Sequence, residues 1–477
     1  MSSNLTKNTL YLTIASVGQK LVAFVYFLFV ARMLQPEKTG MYFLAVSVAM
    51  VFSSIADAGI TPVVIRELAK TPENITQIMR RALALKIPFL FIGYVCTLIT
   101  AYLLGYQTEV IVLTAISGLS LLLDSIHLLF YGLLRSQQQL HYEAIGLCLG
   151  QVLVAVVGGC VLIFFPSIGL LLGALVLGSL LNVLLSARVV YKLFGKQLFF
   201  PVWDFPFAKS FFRMAIPFAL AAIFVKVYSY IDTILLSKFL DTTVVGLYSI
   251  AYKFTYAFQF LPLAFVAALY PKMSWSLVHD RDGLPDLFRR SLWYMALLVT
   301  PLVLGIWLIA KQAVLLVGQS YADAAPILSV LVFALIPIFL DFPVGSLLNA
   351  SGKQATKTAI MGCTMIINII ANIFFIPRFE ALGAAYSALI SFSFMFVAGF
   401  FFVQRIIPNF EFRQWGIDML KIGLSGSVMI MIGRLLLPVL GWIAVIPTCG
   451  LIYLVTLLMT GVLKKEDLHI LRSLRRL

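Results

Sequence analysis

Composition and charge exclude a water-soluble globular protein. The chain has 477 residues, of which 61% are hydrophobic and 12% are charged, and its mean hydropathy is +1.01. Soluble domains carry about 25% charged residues, so this chain belongs in a lipid bilayer. The net charge of +15 does not indicate nucleic-acid binding, because basic residues between apolar runs set orientation and contact anionic lipid.

Apolar runs follow one another along the whole chain. Most have about 20 residues or more, the length that a helix needs to cross a hydrocarbon core of about 30 Å. No alternating strand pattern occurs, so we predict an all-α membrane protein with about 14 transmembrane helices. The predicted spans are 9–34, 40–58, 87–105, 110–134, 144–165, 169–190, 214–239, 244–270, 291–310, 325–350, 359–376, 383–403, 419–437 and 441–462.

The positive charges orient these spans. When the N-terminus is placed in the cytoplasm, most of the 35 Lys and Arg residues fall in cytoplasmic segments, as the positive-inside rule requires. We therefore predict an integral, multi-pass protein of the cell (inner) membrane with both termini in the cytoplasm.

Two lysines near the middle of long apolar runs indicate an internal repeat. Lys20 lies in the first span and Lys226 in the seventh. The spacing between them recurs at other positions, where it pairs Arg32 with Lys238, Gly40 with Gly246 and Tyr42 with Tyr248. Six spans separate the two copies, and six is even, so the matching helices run in the same direction and the repeat is parallel.

The repeat predicts the domain organisation. We expect an N-terminal six-helix lobe at residues 1–195, then a linker and a C-terminal six-helix lobe at 196–410. Two extra transmembrane helices and a basic cytoplasmic tail follow at 411–477. The two parallel-repeat lobes are expected to surround a central cavity.

Ionisable residues inside the spans are the main candidates for function. A lysine at the bilayer centre costs roughly 2.5–3.5 kcal/mol on insertion scales, so its presence indicates that the charge is used. Lys20, Lys226 and Lys253 are therefore candidates to line the cavity and attract an anion. The alternative is that they pair with carboxylates and only hold the helices together.

Polar aromatic residues accompany these lysines. Tyr230 lies one turn after Lys226, and the eighth span carries four polar side chains on one expected helical face: Tyr248, Tyr252, Tyr256 and Gln259. Aromatic rings with polar tips suit contacts with sugars, and an ammonium group suits a phosphate or carboxylate. A tyrosine stripe is equally typical of helix packing, so both readings stay open.

Four carboxylates within spans are candidates for coupling or ion pairing: Asp57, Asp124, Asp232 and Asp341. His127 lies one turn after Asp124, and this pair could accept or pass a proton. Coupling to Na⁺, H⁺ or the membrane potential is one hypothesis, and pairing with the lysines or with neighbouring helices is the other. No zinc spacing, phosphate-binding loop or nucleophile motif occurs, so we expect no metal site, cofactor or catalytic activity.

Short motifs occur in an order typical of one transporter family. They are Ala31-Arg32-Met33-Leu34, Gly40-Met41-Tyr42, Asp57-Ala58-Gly59-Ile60, Arg66-Glu67-Leu68-Ala69 and the tail Lys464-Lys465-Glu466-Asp467-Leu468. Together with the repeat, they resemble the polysaccharide-biosynthesis flippases, which move O-antigen or capsule repeat units. These proteins belong to the multidrug/oligosaccharidyl-lipid/polysaccharide exporter superfamily.

The resemblance implies a cationic central cavity, alternating access and a polyprenyl-diphosphate-linked oligosaccharide moved from the cytoplasmic to the outer leaflet. It also implies that the first, second, seventh and eighth helices border the cavity. Polysaccharide polymerases or glycosyltransferases are the expected protein partners.

Three alternatives accompany this interpretation. The two extra C-terminal helices resemble those of lipid II (peptidoglycan precursor) flippases. A cation-coupled multidrug exporter of the same superfamily would be expected to carry acids rather than lysines at the cavity centre. A membrane-embedded glycosyltransferase or ligase would need a large extracytoplasmic loop, and the longest predicted outside loop, at about 311–324, is short.

Overall fold

The computed structural model describes residues 2–463, and this part of the chain is almost entirely helical, without a strand. The predicted tail motif that starts at Lys464 lies outside the described residues. The helices are α1 (Ser2–Asp57), α2 (Ile60–Lys70), α3 (Ile75–Leu103), α4 (Thr108–Ser136), α5 (Leu140–Phe164), α6 (Ile168–Phe194), α7 (Phe205–Phe239), α8 (Thr242–Tyr256), α9 (Phe260–His279), α10 (Leu284–Leu308), α11 (Ala310–Leu315), α12 (Ala324–Leu331), α13 (Leu335–Ala350), α14 (Gln354–Gln404) and α15 (Phe412–Met459).

Ten helical segments within the described residues are long and apolar enough to cross a bilayer. Large apolar side chains on them point away from the protein; Phe91 is 69% exposed and Val439 is 78% exposed. Such a surface suits acyl chains rather than water. The predicted all-α membrane fold is confirmed.

Three long helices contain one residue with a non-helical backbone, and each lies where the sequence predicts a boundary between two spans. These residues are Gln35 in α1 (φ 65°), Glu380 in α14 (φ 52°) and Gly441 in α15 (φ 70°). At the first of them, Pro36 disfavours a helical conformation in the preceding residue. The three helices are therefore pairs of spans joined by a very short turn.

Helix α14 doubles back at its turn. A Cβ atom at Gly383 would lie 2.3 Å from the carbonyl oxygen of Phe375, whereas residues eight apart in a straight helix are separated by about 12 Å. Glycine is required at this position because any side chain would collide with the opposing backbone.

The predicted eighth span consists of two helices. Helix α8 ends at Tyr256 and α9 begins at Phe260, with a turn at 257–259 between them. Pro262 has no N–H group to donate to the carbonyl of Phe258, which favours a break at this point. The expectation that Gln259 continues the helical face of α8 is therefore wrong.

Internal contacts divide the chain into two compact units. Unit 1 comprises the residues up to Lys253 and Met361–Ala384, and unit 2 comprises Phe254–Ile360 and the residues from Ala385 onwards. In unit 1, α1 packs against α3, α4, α5 and α7, and α4 packs against α6. In unit 2, α10 packs against α13 and α15, and α9 packs against α13. The division into lobes at 195 and 410 stays a prediction.

Candidate functional site

Unit 1 contains a cavity of about 410 Å³. Residues from α1, α4, α5 and α6 form most of its wall, and α7 and α8 contribute Tyr230, Tyr252 and Lys253. Helix α4 presents a polar face to the cavity, made by Ser117, Ser120, Asp124 and His127, because residues three or four apart lie on one side of a helix. The cavity thus combines hydroxyl, carboxylate, imidazole and ammonium groups.

Lys253 brings a positive charge to this wall. Its Nζ lies 4.9 Å from the ring centre of Phe27 and 5.7 Å from that of Phe43. The electron-rich ring faces stabilise an ammonium group, but they do not neutralise it. Among residues 2–463, no carboxylate lies within ion-pair distance of Lys253. Within the described residues, Lys253 therefore lies on the cavity wall without an ion-pair partner of its own.

Two of the predicted tyrosines line the same cavity as Lys253. The ring of Tyr252 lies 5.6 Å from that of Phe43 and 6.4 Å from that of Tyr230, and both tyrosines line the cavity. An aromatic wall next to an ammonium group is a surface on which a sugar ring can pack while an anion is held.

Lys226 belongs to a neighbouring charge cluster. Its Nζ lies 3.7 Å from the sulfur of Met50 and 5.7 Å from the ring centre of Tyr230. Asp124 attracts it electrostatically, and the Asp124 carboxylate is 3.1 Å from Nε2 of His127. Lys226 is not part of the cavity wall itself, but two of its neighbours, Asp124 and Tyr230, are.

The structure does not bring Lys20 into the cavity wall. Lys20 is exposed on α1, whereas the adjacent Gln19 and, one turn on, Ala23 line the cavity. Successive residues of a helix point about 100° apart, which explains why Gln19 faces inward and Lys20 does not.

Tyr248 is fully buried and forms a hydrogen bond with Asp232 instead of lining the cavity. Its hydroxyl donates a hydrogen bond of 2.8 Å to Asp232, and the side-chain amide of Asn372 donates another of 2.7 Å to the second oxygen of the same carboxylate. Asp232 is itself only 3% exposed. These three residues form a buried polar network in unit 1, not part of the cavity wall.

Tyr256 and Gln259 lie in unit 2. The ring of Tyr256 is 6.4 Å from that of Phe392. Gln259 ends the turn between α8 and α9, where its N–H donates to the carbonyl of Tyr256. Neither residue is part of the cavity wall in unit 1.

The two remaining acids are paired with lysines that the sequence analysis did not single out. Asp57 accepts a hydrogen bond of 2.6 Å from Lys86, which is 1% exposed, and a further bond from Thr61. In unit 2, both carboxylate oxygens of Asp341 accept from Lys357, at 2.7 and 2.6 Å. Each pair joins two helices, since Lys86 lies on α3 and Lys357 on α14.

Uncharged polar residues of the cavity were missed from the sequence. Asn182 and Gln151 line it, and Asn182 accepts a hydrogen bond of 2.9 Å from the Tyr131 hydroxyl. The sequence did offer a signal for them: each is the one amide side chain in a mostly apolar span. In the part of the chain that the structure describes, no group of three or more His, Cys, Asp or Glu residues is placed to hold a metal ion.

Comparison with known proteins gives relatives among flippases and polysaccharide transport proteins. The chain is 31% identical over 170 residues to the "Probable flippase AglR" of Haloferax volcanii, an alignment that covers 34% of this chain and 35% of that protein. It is 24% identical over 332 residues to the "Succinoglycan biosynthesis transport protein ExoT" of Rhizobium meliloti, covering 69% of this chain and 66% of that protein. The alignments thus span one third to two thirds of these relatives.

A solved structure shares the fold. The "Lipid II flippase MurJ, inward closed conformation" superposes with a TM-score of 0.71 and 16% sequence identity, over 93% of this chain and 97% of that one. At this identity the likeness concerns the fold alone.

Two family models match the chain. The MatE model matches residues 217–374, and the model described as "Polysaccharide biosynthesis protein" matches residues 5–276, which is more than half of the chain. The matched families are transporters and flippases rather than catalytic enzymes. The chain therefore belongs to the polysaccharide biosynthesis protein family of the multidrug/oligosaccharidyl-lipid/polysaccharide exporter superfamily.

Proposed function

We propose that this protein is a flippase that moves a polyprenyl-diphosphate-linked oligosaccharide from the cytoplasmic to the outer leaflet by alternating access. One observation carries the proposal: Lys253 places an ammonium group on a cavity wall without a carboxylate partner among the described residues. A buried cation is stable only when it gains a counter-ion or strong polar contacts. An anionic substrate supplies that counter-ion.

The chemistry of the wall matches a sugar diphosphate. A diphosphate carries two or more negative charges, and its attraction to an ammonium group is stronger in a cavity of low dielectric constant than in water. Tyr230 and Tyr252, which line the same cavity as Lys253, offer ring faces and hydroxyls to the first sugars. The names of the relatives, a probable flippase and a succinoglycan transport protein, support the same class of substrate.

The other predicted site residues take different roles in this proposal. Lys226 contributes positive potential next to the cavity, whereas exposed Lys20 attracts the diphosphate before it enters. Tyr248 donates a hydrogen bond to Asp232, and Tyr256 and Gln259 lie in unit 2, so the proposal assigns none of these three residues to the substrate-binding wall.

Energy coupling is assigned in the proposal to Asp124 and His127. Both line the cavity, 3.1 Å apart, and the Nδ1 atom of His127 is buried without a hydrogen-bond partner among the described residues. Histidine is a common proton carrier in proteins, and here its ring contacts a carboxylate on the cavity wall. Asp57, Asp232 and Asp341 are each bonded to other side chains, which favours a structural role for them.

The cellular setting follows from the substrate. The protein is an integral, multi-pass membrane protein, and we place it in the inner membrane with both termini in the cytoplasm. The glycosyltransferases that build the lipid-linked oligosaccharide and the polymerase that uses it are its proposed partners.

The test is transport by purified protein in proteoliposomes loaded with a labelled lipid diphosphate oligosaccharide. Lys253→Gln keeps the bulk of the side chain and removes the charge, so we expect transport to fall by about tenfold, the effect of 1.4 kcal/mol. Lys253→Arg keeps the charge and should restore part of the activity. Lys226→Gln and Lys20→Gln should give smaller losses.

Lys311→Gln is the matched control, because it removes an exposed lysine of α11. The proposal is wrong if folded Lys253→Gln protein transports at the parental rate. A second series with lipid II as cargo separates the surface-polysaccharide substrate from the peptidoglycan precursor.

A further inference from the structure

An exposed arginine lies within a membrane-spanning helix of unit 2. Arg434 belongs to α15, seven residues before the turn at Gly441, which corresponds to about 10 Å along a helix. Among residues 2–463, no carboxylate lies within ion-pair distance of it. A charged side chain on a spanning helix is costly unless it finds a partner.

Arg434 stands at the edge of an apolar groove. Its guanidinium carbon lies 4.7 Å from the ring centre of Trp307, near the end of α10. The groove has a volume of about 500 Å³, and Phe333, Ile430, Met431 and Leu435 form most of its remaining wall. Met431 is 64% exposed and Leu435 is 69% exposed, so the groove opens outward from the protein.

Helices α10 and α15 pack closely beside the groove. A Cβ atom on Gly426 would lie 2.6 Å from a methyl group of Leu304, and one on Gly433 would lie 2.7 Å from a methyl group of Leu308. The two glycines are seven residues apart and therefore share a face of α15. They let α15 approach α10 closely, while Ser427 and Arg434, one residue further along, border the groove.

We propose that this groove binds an anionic phospholipid, with one acyl chain along the apolar wall and the phosphate on Arg434. The guanidinium group forms paired hydrogen bonds with phosphate oxygens, and stacking on Trp307 fixes its plane for that contact. Tryptophan and arginine near the end of a spanning helix are suited to the depth of the lipid headgroups. The cost of an unpaired charge at this depth is offset by the phosphate.

Native mass spectrometry of the purified full chain tests the proposal. The probes are phosphatidylglycerol and phosphatidylcholine with identical acyl chains. We expect the parent to retain phosphatidylglycerol preferentially, and Arg434→Gln to lower that retention about tenfold. Arg434→Lys should keep part of it. Ser427→Phe fills the groove, leaves the charge in place and should also lower retention.

Arg378→Gln is the matched control. Arg378 is likewise exposed and stacked on a ring, 3.9 Å from the centre of Phe374, but it does not border the groove. Size-exclusion chromatography and thermal unfolding identify any variant that has lost its fold. Equal retention of the two lipids by the parent overturns the proposal. So does unchanged retention in folded Arg434→Gln or in folded Ser427→Phe protein.

Discussion

Gly40 in α1 and Gly246 in α8 pack against each other's helices at matching positions. A Cβ atom on Gly40 would lie 1.7 Å from the carbonyl oxygen of Thr242, and one on Gly246 would lie 1.9 Å from that of Pro36. The spacing between Pro36 and Thr242 equals that between Gly40 and Gly246, so the internal repeat relates the two contacts. The matching helices thus meet backbone to backbone in a reciprocal contact.

Alanine at either glycine should destabilise the protein. Gly40→Ala and Gly246→Ala each force a methyl group into a carbonyl, and overpacking of this kind costs about 1–3 kcal/mol. The thermal unfolding temperature of each purified variant is expected to fall. Gly159→Ala is the control, because nothing lies within 4 Å of its added Cβ. Parental unfolding temperatures in the first two variants would show that the helices separate easily here.

The pair of Lys86 and Asp57 should matter more than an exposed pair. Lys86→Met leaves the Asp57 carboxylate, which is 24% exposed, without its main partner, and an unsatisfied polar group costs about 1–3 kcal/mol. Glu67→Gln removes the bond to Lys70, whose side chain is 52% exposed, and should cost at most about 1 kcal/mol. Unfolding in denaturant measures both. Adding Asp57→Asn to Lys86→Met should recover part of the loss; no recovery would argue against an unpaired charge as its cause.

The hydroxyl of Tyr248 should contribute to stability through Asp232. Tyr248→Phe removes one donor from a buried carboxylate, and an unsatisfied buried group costs about 1–3 kcal/mol. The unfolding temperature of the variant should therefore fall. Tyr102→Phe is the comparison, since Tyr102 is 74% exposed and should tolerate the change. Equal effects of the two substitutions would contradict the role of the network.

Reporter fusions should reveal the orientation of the chain in the membrane. The loop between α3 and α4, near residue 106, and the chain near residue 311 should read outside, whereas fusions near residues 75 and 200 should read inside. The reason is the distribution of Lys and Arg between loops. A fusion in the basic tail should also read inside. An outside signal at residue 200 would be incompatible with six spans before the linker.

Much of the fold was accessible from the sequence, because long apolar runs are strong signals of spanning helices. The predicted boundaries near Leu34, Ile376 and Leu437 are followed within a few residues by the turns at Gln35, Glu380 and Gly441. The break after Tyr256 was missed because hydrophobicity continues through it. Only Pro262 indicated it, and proline is tolerated within many membrane helices.

The site was harder to predict from the sequence. A predicted span gives the depth of a residue in the membrane, but not the direction in which its side chain points or the residues that it contacts. The repeat identified Lys20 and Lys226, yet neither is part of the cavity wall, while Lys253 is. Asp57 and Asp341 were recognised as charged residues, but their partners Lys86 and Lys357 lie just outside the predicted spans. Long-range pairing of this kind depends on helix packing, which hydrophobic pattern alone does not determine.

The very short turns at Gln35, Glu380 and Gly441 leave little exposed loop for other molecules to contact. Proteases cleave at extended loop tips, and insertions are tolerated at the same places. Each of these connections provides only one non-helical residue, and in the predicted orientation all three face away from the cytoplasm. We therefore expect these three connections to resist proteases added from the non-cytoplasmic side and to provide little surface for antibodies.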